Sequence, residues 1–162
     1  MTRWLSDDEQ RTWRSFLTAS RLLWDAVERR LQQEAGLPHA YYEILVRLSE
    51  APDRRLRMSR LASTSLSSRS RVSHAVARLE EAGWVRRVPF PDDRRGLSAE
   101  LTDAGLERLR TAAAGHVETV RDVLFDRLDP AQLAALREIS DVLTAHLADT
   151  PPWPAAQDPA EA

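Results

Sequence analysis

Apolar residues recur at helical spacing from Asp7 to Ala35. Trp13, Leu17, Trp24, Val27 and Leu31 follow one another at steps of 4, 7, 3 and 4, with Phe16 and Leu23 beside them. The pattern predicts one long amphipathic helix with arginines and acids on its other side. Ser6 and Glu9 have the spacing of a capping box at its start. Gly36 ends it, and Pro38 opens a second helix running to about Glu50. After the turn Ala51-Pro52-Asp53 the elements become short: a helix over Ser59–Ser65, a Ser/Leu turn, and a helix over Arg69–Ala82 stopped at Gly83. Trp84 to Val88 then alternates apolar and basic residues, Pro91 to Gly96 reads as a turn, and Leu97 to Leu101 alternates again. This predicts a β-hairpin with a cationic tip. Helical spacing returns with Leu106, Leu109, Ala113, Val117, Val120 and Leu124, and predicts a helix as far as Leu128. It restarts at Asp129-Pro130 with Leu133, Leu136, Ile139, Leu143 and Leu147. The proline-rich tail after Thr150 is expected to be disordered.

The order helix, turn, helix, strand, cationic tip, strand is that of a winged helix-turn-helix in a mainly α chain. The predicted units are an N-terminal dimerisation helix over 1–36, a winged module over 37–101, C-terminal dimerisation helices over 102–148 and a tail over 149–162. Within the module, the recognition helix is 69–82 and the wing 84–101. The compact middle is too small to cover the apolar faces of the long terminal helices, so a second copy is the expected partner, with a monomeric bundle as the alternative.

Charge changes the picture once it is divided along the chain. Residues 54–95 hold eleven arginines against four acids. That window carries +7, while the remainder carries −9 in a chain of net charge −2. A basic island in an acidic frame suits a polyanion partner, although a charge run is equally a solvated face. No lysine is present, so each phosphate or base contact from a permanent cation is made by a guanidinium fork. Cysteine is absent, which excludes disulfides, cysteine-ligated zinc and thiol redox chemistry. No uncharged run exceeds 8 residues, too few to span a bilayer, and the start lacks the order of a signal peptide. A cytoplasmic protein with no membrane partner is expected.

In the predicted recognition helix Val72, Val76 and Leu79 form the buried face. Ser70, Arg71, Ser73, His74 and Arg78 remain outside, and Ser68 is placed to cap the helix beside Arg69. A pairing of Arg78 with Glu80 or Glu81 is the plainer reading of that residue. Taken together on one helix before a cationic hairpin, the set favours double-stranded DNA.

Arg78-Leu79-Glu80-Glu81-Ala82-Gly83-Trp84-Val85-Arg86-Arg87 resembles the helix end and first wing strand of the multiple antibiotic resistance regulator (MarR) family. The wing matches that family's pattern Asp-x-Arg, five residues, Leu-Thr, two residues, Gly through Asp93, Arg95, Leu101, Thr102 and Gly105. The resemblance covers roughly residues 6 to 148. It implies a homodimeric transcription factor, in most members a repressor of a pseudo-palindromic operator released by a small, often aromatic ligand. By the same match, Arg95 enters the minor groove, Asp93 holds the wing arginine, and Arg94 lies near phosphates. Ser70, Arg71, Ser73 and His74 face bases and phosphates, while Leu101, Thr102 and Gly105 are structural.

Trp13, Trp24, His39 and Tyr42, with Tyr41, are the candidates for lining an effector pocket, although aromatics at helical spacing are more often core. His39, His74, His116 and His146 are scattered along the chain, so neither a metal nor a cofactor is expected. A winged-helix module binding only protein is the alternative function. An enzyme is disfavoured, because no phosphate loop, nucleophile–base pair or metal constellation stands out.

Overall fold

The computed structural model describes residues 1–65, 68–90 and 93–147, with the backbone alone at residues 90 and 93–95. The turn at 66–67, the hairpin tip at 91–92 and the tail expected to be disordered lie outside the described residues.

Helix α1, Asp7–Ala35, starts where expected. The Ser6 N–H donates to Glu9 Oε2 at 2.8 Å, and Ser6 Oγ accepts from the Glu9 N–H at 3.3 Å. Gly36 ends the helix in the left-handed conformation, φ 55°, its N–H donating to the Gln32 carbonyl. The reversal drives Leu37 into the core and leads into α2, His39–Glu50, which buries Tyr42, Ile44, Leu45 and Leu48. A tight turn, Pro52–Arg54, with Asp53 at φ 52°, then feeds strand β1, Arg55–Arg57.

Helices α3, Met58–Thr64, and α4, Arg69–Glu81, form the helix-turn-helix, and β2, Val85–Phe90, and β3, Asp93–Leu101, the wing. The sheet has three strands rather than the expected two, in the antiparallel order β1-β3-β2. Arg55 faces Glu100 on one side of the central strand, and Arg86 faces it on the other. Strand β3 also begins earlier than the expected Leu97. Its pairing with β2 continues to Phe90 opposite Asp93, past an irregularity between Pro89 and Phe90, so backbone expected in a turn is strand.

Helix α5, Asp103–Val123, is capped by Thr102 and packs along α1 and α2; it ends before the expected Leu128 in a 3₁₀ turn, Phe125–Arg127. Helix α6, Pro130–Leu147, starts at a reciprocal cap. The Asp129 N–H donates to Gln132 Oε1 at 3.0 Å, and Asp129 Oδ1 accepts from the Gln132 N–H at 2.9 Å.

One core joins these pieces, from Leu31 and Leu37 through Leu45, Leu48 and Leu61 to Val76, Leu79, Val85, Leu101 and Leu109. Only the last third of α1 reaches it, through Leu31 and Ala35, and buries Val27 besides, while Trp13, Leu17 and Trp24 of the predicted stripe, with Phe16 beside them, stand exposed. Helix α6 buries no residue.

Candidate nucleic-acid interface

Helix α4 has the two faces its spacing requires. Val72, Ala75, Val76 and Leu79 are buried, while Arg69, Ser70, Arg71, Ser73, His74 and Arg78 are exposed. Ser68 Oγ accepts from the Arg71 N–H at 3.3 Å, capping the helix as expected. That bond uses one orphan N–H of the first turn, and the other amides there remain able to meet an anion.

The hairpin is fixed to this helix at its base. The Trp84 N–H donates to the Leu79 carbonyl at 2.9 Å. Arg87 donates through Nη2 to the Ser73 carbonyl at 2.9 Å and through its backbone N–H to Glu80 Oε1 at 2.9 Å, with a side-chain ion pair to Glu80 at 3.3 Å. Thr102 holds the far end: its Oγ1 donates to the Gly83 carbonyl at 2.8 Å and accepts from the Gly105 N–H at 3.0 Å. A Cβ on Gly105 would collide with the Trp84 carbonyl oxygen, so α5 can start here only on a glycine. Leu101, Thr102 and Gly105 thus hold the structural places that the resemblance assigned to them.

The basic island is less cationic than its composition. Arg54 pairs with Asp103 at 2.8 Å, Arg55 and Arg86 both pair with Glu100, and Arg78 pairs with Glu81 at 2.7 Å. For Arg78 the plainer expectation is the one the structure shows. Among the described residues Arg60, Arg69 and Arg71 are exposed without an ion pair, and these three keep their full field for a polyanion. The backbones of Asp93, Arg94 and Arg95 run in β3, and their side chains lie outside the described residues.

The fold gathers most of the candidate effector residues and adds one. Trp24 of α1 meets the His39 ring edge-on at 5.1 Å between centroids, and His39 lies 6.3 Å from Tyr42. His116 of α5 completes the group, 4.5 Å from Tyr42 and 5.9 Å from His39, so two of the histidines expected to be scattered are neighbours. Burial and the nearby His39 lower the His116 pKa below its ordinary 6.5, and its Nδ1 is buried without a hydrogen-bond partner. Burial, then Glu50, raises the Tyr42 hydroxyl. Trp13 is not part of the cluster: it packs on Phe16, eleven residues or roughly 16 Å of helix from Trp24. Only the folded chain brings His116 to His39, 77 positions away, and no local pattern signals it.

The MarR family model matches residues 35–96, the stretch from the end of α1 into the wing. Sco3205, a MarR family transcriptional regulator from Streptomyces coelicolor solved in complex with DNA, is 52% identical. The match covers 93% of this chain and 97% of that one, with a TM-score of 0.88. AbsC, a MarR family transcriptional regulator from the same organism, is 44% identical over 92% of this chain and 100% of its own, with a TM-score of 0.86. The HTH-type transcriptional regulator PecS of Dickeya dadantii (strain 3937) is 35% identical over 80 residues, 48% of each chain, so the match spans about half of that regulator's length. A helix-turn-helix braced by a three-stranded wing, and identity sustained through nearly the whole of solved members, lead to one conclusion: the chain belongs to the MarR family.

Proposed function

We propose that the chain is a homodimeric, sequence-specific DNA-binding transcriptional regulator, acting as a repressor of a pseudo-palindromic operator. The observation that carries this reading is α4, whose apolar face is sunk in the core while Ser70, Arg71, Ser73 and His74 stand in solvent beside the wing. A helix so held enters a major groove with its polar side chains at the base edges. Ser73 and His74 read that groove directly or through water, Arg71 supplies affinity and orientation, and Ser68, Arg69 and the first-turn amides meet phosphates. Arg78 contributes to the backbone field after leaving Glu81. Arg95 reaches the flanking minor groove, Asp93 steadies it, and Arg94 lies near phosphates. The solved complex of the relative Sco3205 with DNA supports the same reading.

The proposed units follow the fold: α1 and α5–α6 form the dimer body, and residues 37–101 the reading head. The exposed apolar side chains Trp13, Phe16 and Leu17 on α1 and Ile139, Val142 and Leu143 on α6 support a second copy as their cover. Trp24, His39 and Tyr42, joined by His116, lie where α1 and α5 meet the start of α2, and they are the proposed site for a small aromatic effector that relieves repression. The regulator acts in the cytoplasm and not as an enzyme. No helix among the described residues is long and apolar enough to cross a membrane.

The test is selection of genomic fragments by the purified protein, followed by footprinting of the enriched site. The expected result is a pseudo-palindrome with half-sites one helical turn or a multiple apart, minor-groove protection on its flanks, and affinity falling steeply with salt. No enrichment above background at moderate salt, with or without aromatic effectors, would favour the protein-binding alternative.

A further inference from the structure

We propose that Glu100 is the positioning residue of the wing: it clips Arg55 of β1 and Arg86 of β2 together and so sets the angle at which the hairpin meets DNA, without contacting DNA itself. The inference rests on the DNA-binding reading above.

The argument begins with strand alternation. On the central strand β3, Ala99 and Leu101 point into the core, so Ser98 and Glu100 belong to the opposite face. That face is expected to be wet, yet Glu100 is only 8% exposed. Its cover is two guanidiniums, one from each neighbouring strand at the same register. Glu100 Oε2 accepts from Arg55 Nη2 at 2.5 Å and Nε at 3.0 Å. Glu100 Oε1 accepts from Arg86 Nε at 2.9 Å and also from its Nη2. Each oxygen thus serves one arginine, and the carboxylate is a two-sided clip. Exposed ion pairs contribute little, but a covered carboxylate with four charged donors is held in one geometry.

Position in the chain turns the clip into a device. Strand β1 runs directly into α3, and β2 leaves the end of α4, so Arg55 and Arg86 bracket the helix-turn-helix. Glu100 therefore joins the residues before and after that motif to the return strand of the wing. Arg87, on the other face, ties β2 to Ser73 and Glu80 of α4. The hairpin is held from both faces at its base, and β3 runs from that base to Asp93 as a lever. Seven residues of strand separate Glu100 from Asp93, roughly 23 Å, so a tilt of about 5° at the base displaces the Asp93 backbone by about 2 Å. In a minor groove about 6 Å wide, that shift removes a guanidinium from hydrogen-bond reach.

The experiment compares wild type, Glu100→Gln and Arg86→Gln on the fragment that wild type selects. Guanine protection reads the major groove under α4, and hydroxyl-radical protection reads the flanking minor grooves. Glu100→Gln is expected to keep the central protection, lose the flanks and bind about tenfold more weakly, the scale of a lost minor-groove arginine. Arg86 is 63% exposed and leaves Arg55 on Glu100, so Arg86→Gln keeps the test alive should the first variant fail to fold; it is expected to lose the flanks as well. Flank protection unchanged in a folded variant, or centre and flanks lost in equal measure, overturns the assignment. A wild-type chain that protects no fragment overturns the DNA-binding reading itself, and this inference with it.

Discussion

Helices α4 and α6 are both amphipathic, yet the fold treats their apolar faces oppositely. Helix α4 sinks Val72, Ala75, Val76 and Leu79 among α2, α3 and the sheet, whereas α6 leaves Ile139, Val142, Leu143 and Leu147 exposed. The same contrast runs along α1, whose last third buries Val27 and Leu31 and whose first two-thirds leaves Trp13, Phe16 and Leu17 exposed. Apolar area removed from water contributes about 25 cal/mol per Å² wherever its cover comes from. The reading head obtains that cover inside its own chain. In the proposed dimer the body obtains it from a second copy, so one molecule holds a core complete in itself and another completed by association.

The largest effect expected from this contrast lies in the head. Leu48 is 0% exposed among the core side chains, so Leu48→Ala leaves a cavity and costs about 2–5 kcal/mol. Urea denaturation followed by circular dichroism measures it, and a loss under about 1 kcal/mol would mean that the head is packed more loosely than it is drawn. Ile139 breaks the comparison from the other side. It is 56% exposed, so in a monomer Ile139→Asp is a surface change within about 0.5 kcal/mol. In the dimer it places a charge in an apolar seam and weakens association by about 2 kcal/mol or more. Sedimentation at micromolar protein distinguishes the two: a variant that sediments like wild type excludes α6 from the interface.

The same contrast governs what the sequence could tell. Features carried by neighbours in the chain were legible: the Ser6–Glu9 capping box, the left-handed Gly36, the Asp129-Pro130 start of α6 and the buried face of α4. Each depends on residues within one or two helical turns of one another. Strand β1 was not legible, because Arg55-Leu56-Arg57 offers one apolar residue and becomes a strand only by pairing with β3, about 45 positions on. Glu100 reads as the wet half of an alternating strand until Arg55 and Arg86 close over it. The apolar stripe through Trp13 and Leu17 is a true helical stripe, but spacing cannot say whether its cover lies in the same chain. Composition overstated the basic island for a related reason: two acids from outside the window, Glu100 and Asp103, fold onto Arg55, Arg86 and Arg54.

A smaller effect sharpens the boundary between head and body, where His116 of α5 meets His39 and Tyr42 of α2. The folded state holds the His116 pKa below 6.5, through burial first and His39 second. The unfolded chain therefore takes up the proton earlier as pH falls. The contribution of neutral His116 is complete above 6.5 and declines as pH drops through 6.5 towards the lowered folded value. His116→Phe removes that titration, so its urea midpoint should fall less than that of wild type between pH 7.5 and about pH 5.5. Equal declines would place the acid sensitivity on other groups.

The smallest effect concerns the strained turn that joins α2 to the sheet. The Arg54 N–H donates to the Ala51 carbonyl at 2.9 Å, closing a turn with proline second and Asp53 third. Asp53 and Arg54 both have positive φ, 52° and 54°, a region that favours glycine and admits asparagine and aspartate at some cost. Arg54 has a compensation in its bond to Asp103, but among the described residues no comparable bond offsets the strain at Asp53. Asp53→Gly relieves about 1 kcal/mol of backbone strain and loses about 0.4–1 kcal/mol by loosening the unfolded chain, leaving a stabilisation of a few tenths of a kcal/mol. Thermal melting should place the variant level with wild type or slightly above it. Asp53 also borders an open hollow of about 420 Å³ at the wing base, shared with Arg54, Arg86 and Glu100. A clear destabilisation by Asp53→Gly would therefore show that its carboxylate acts on those arginines, and that the head's self-contained core extends into the charged network under the wing.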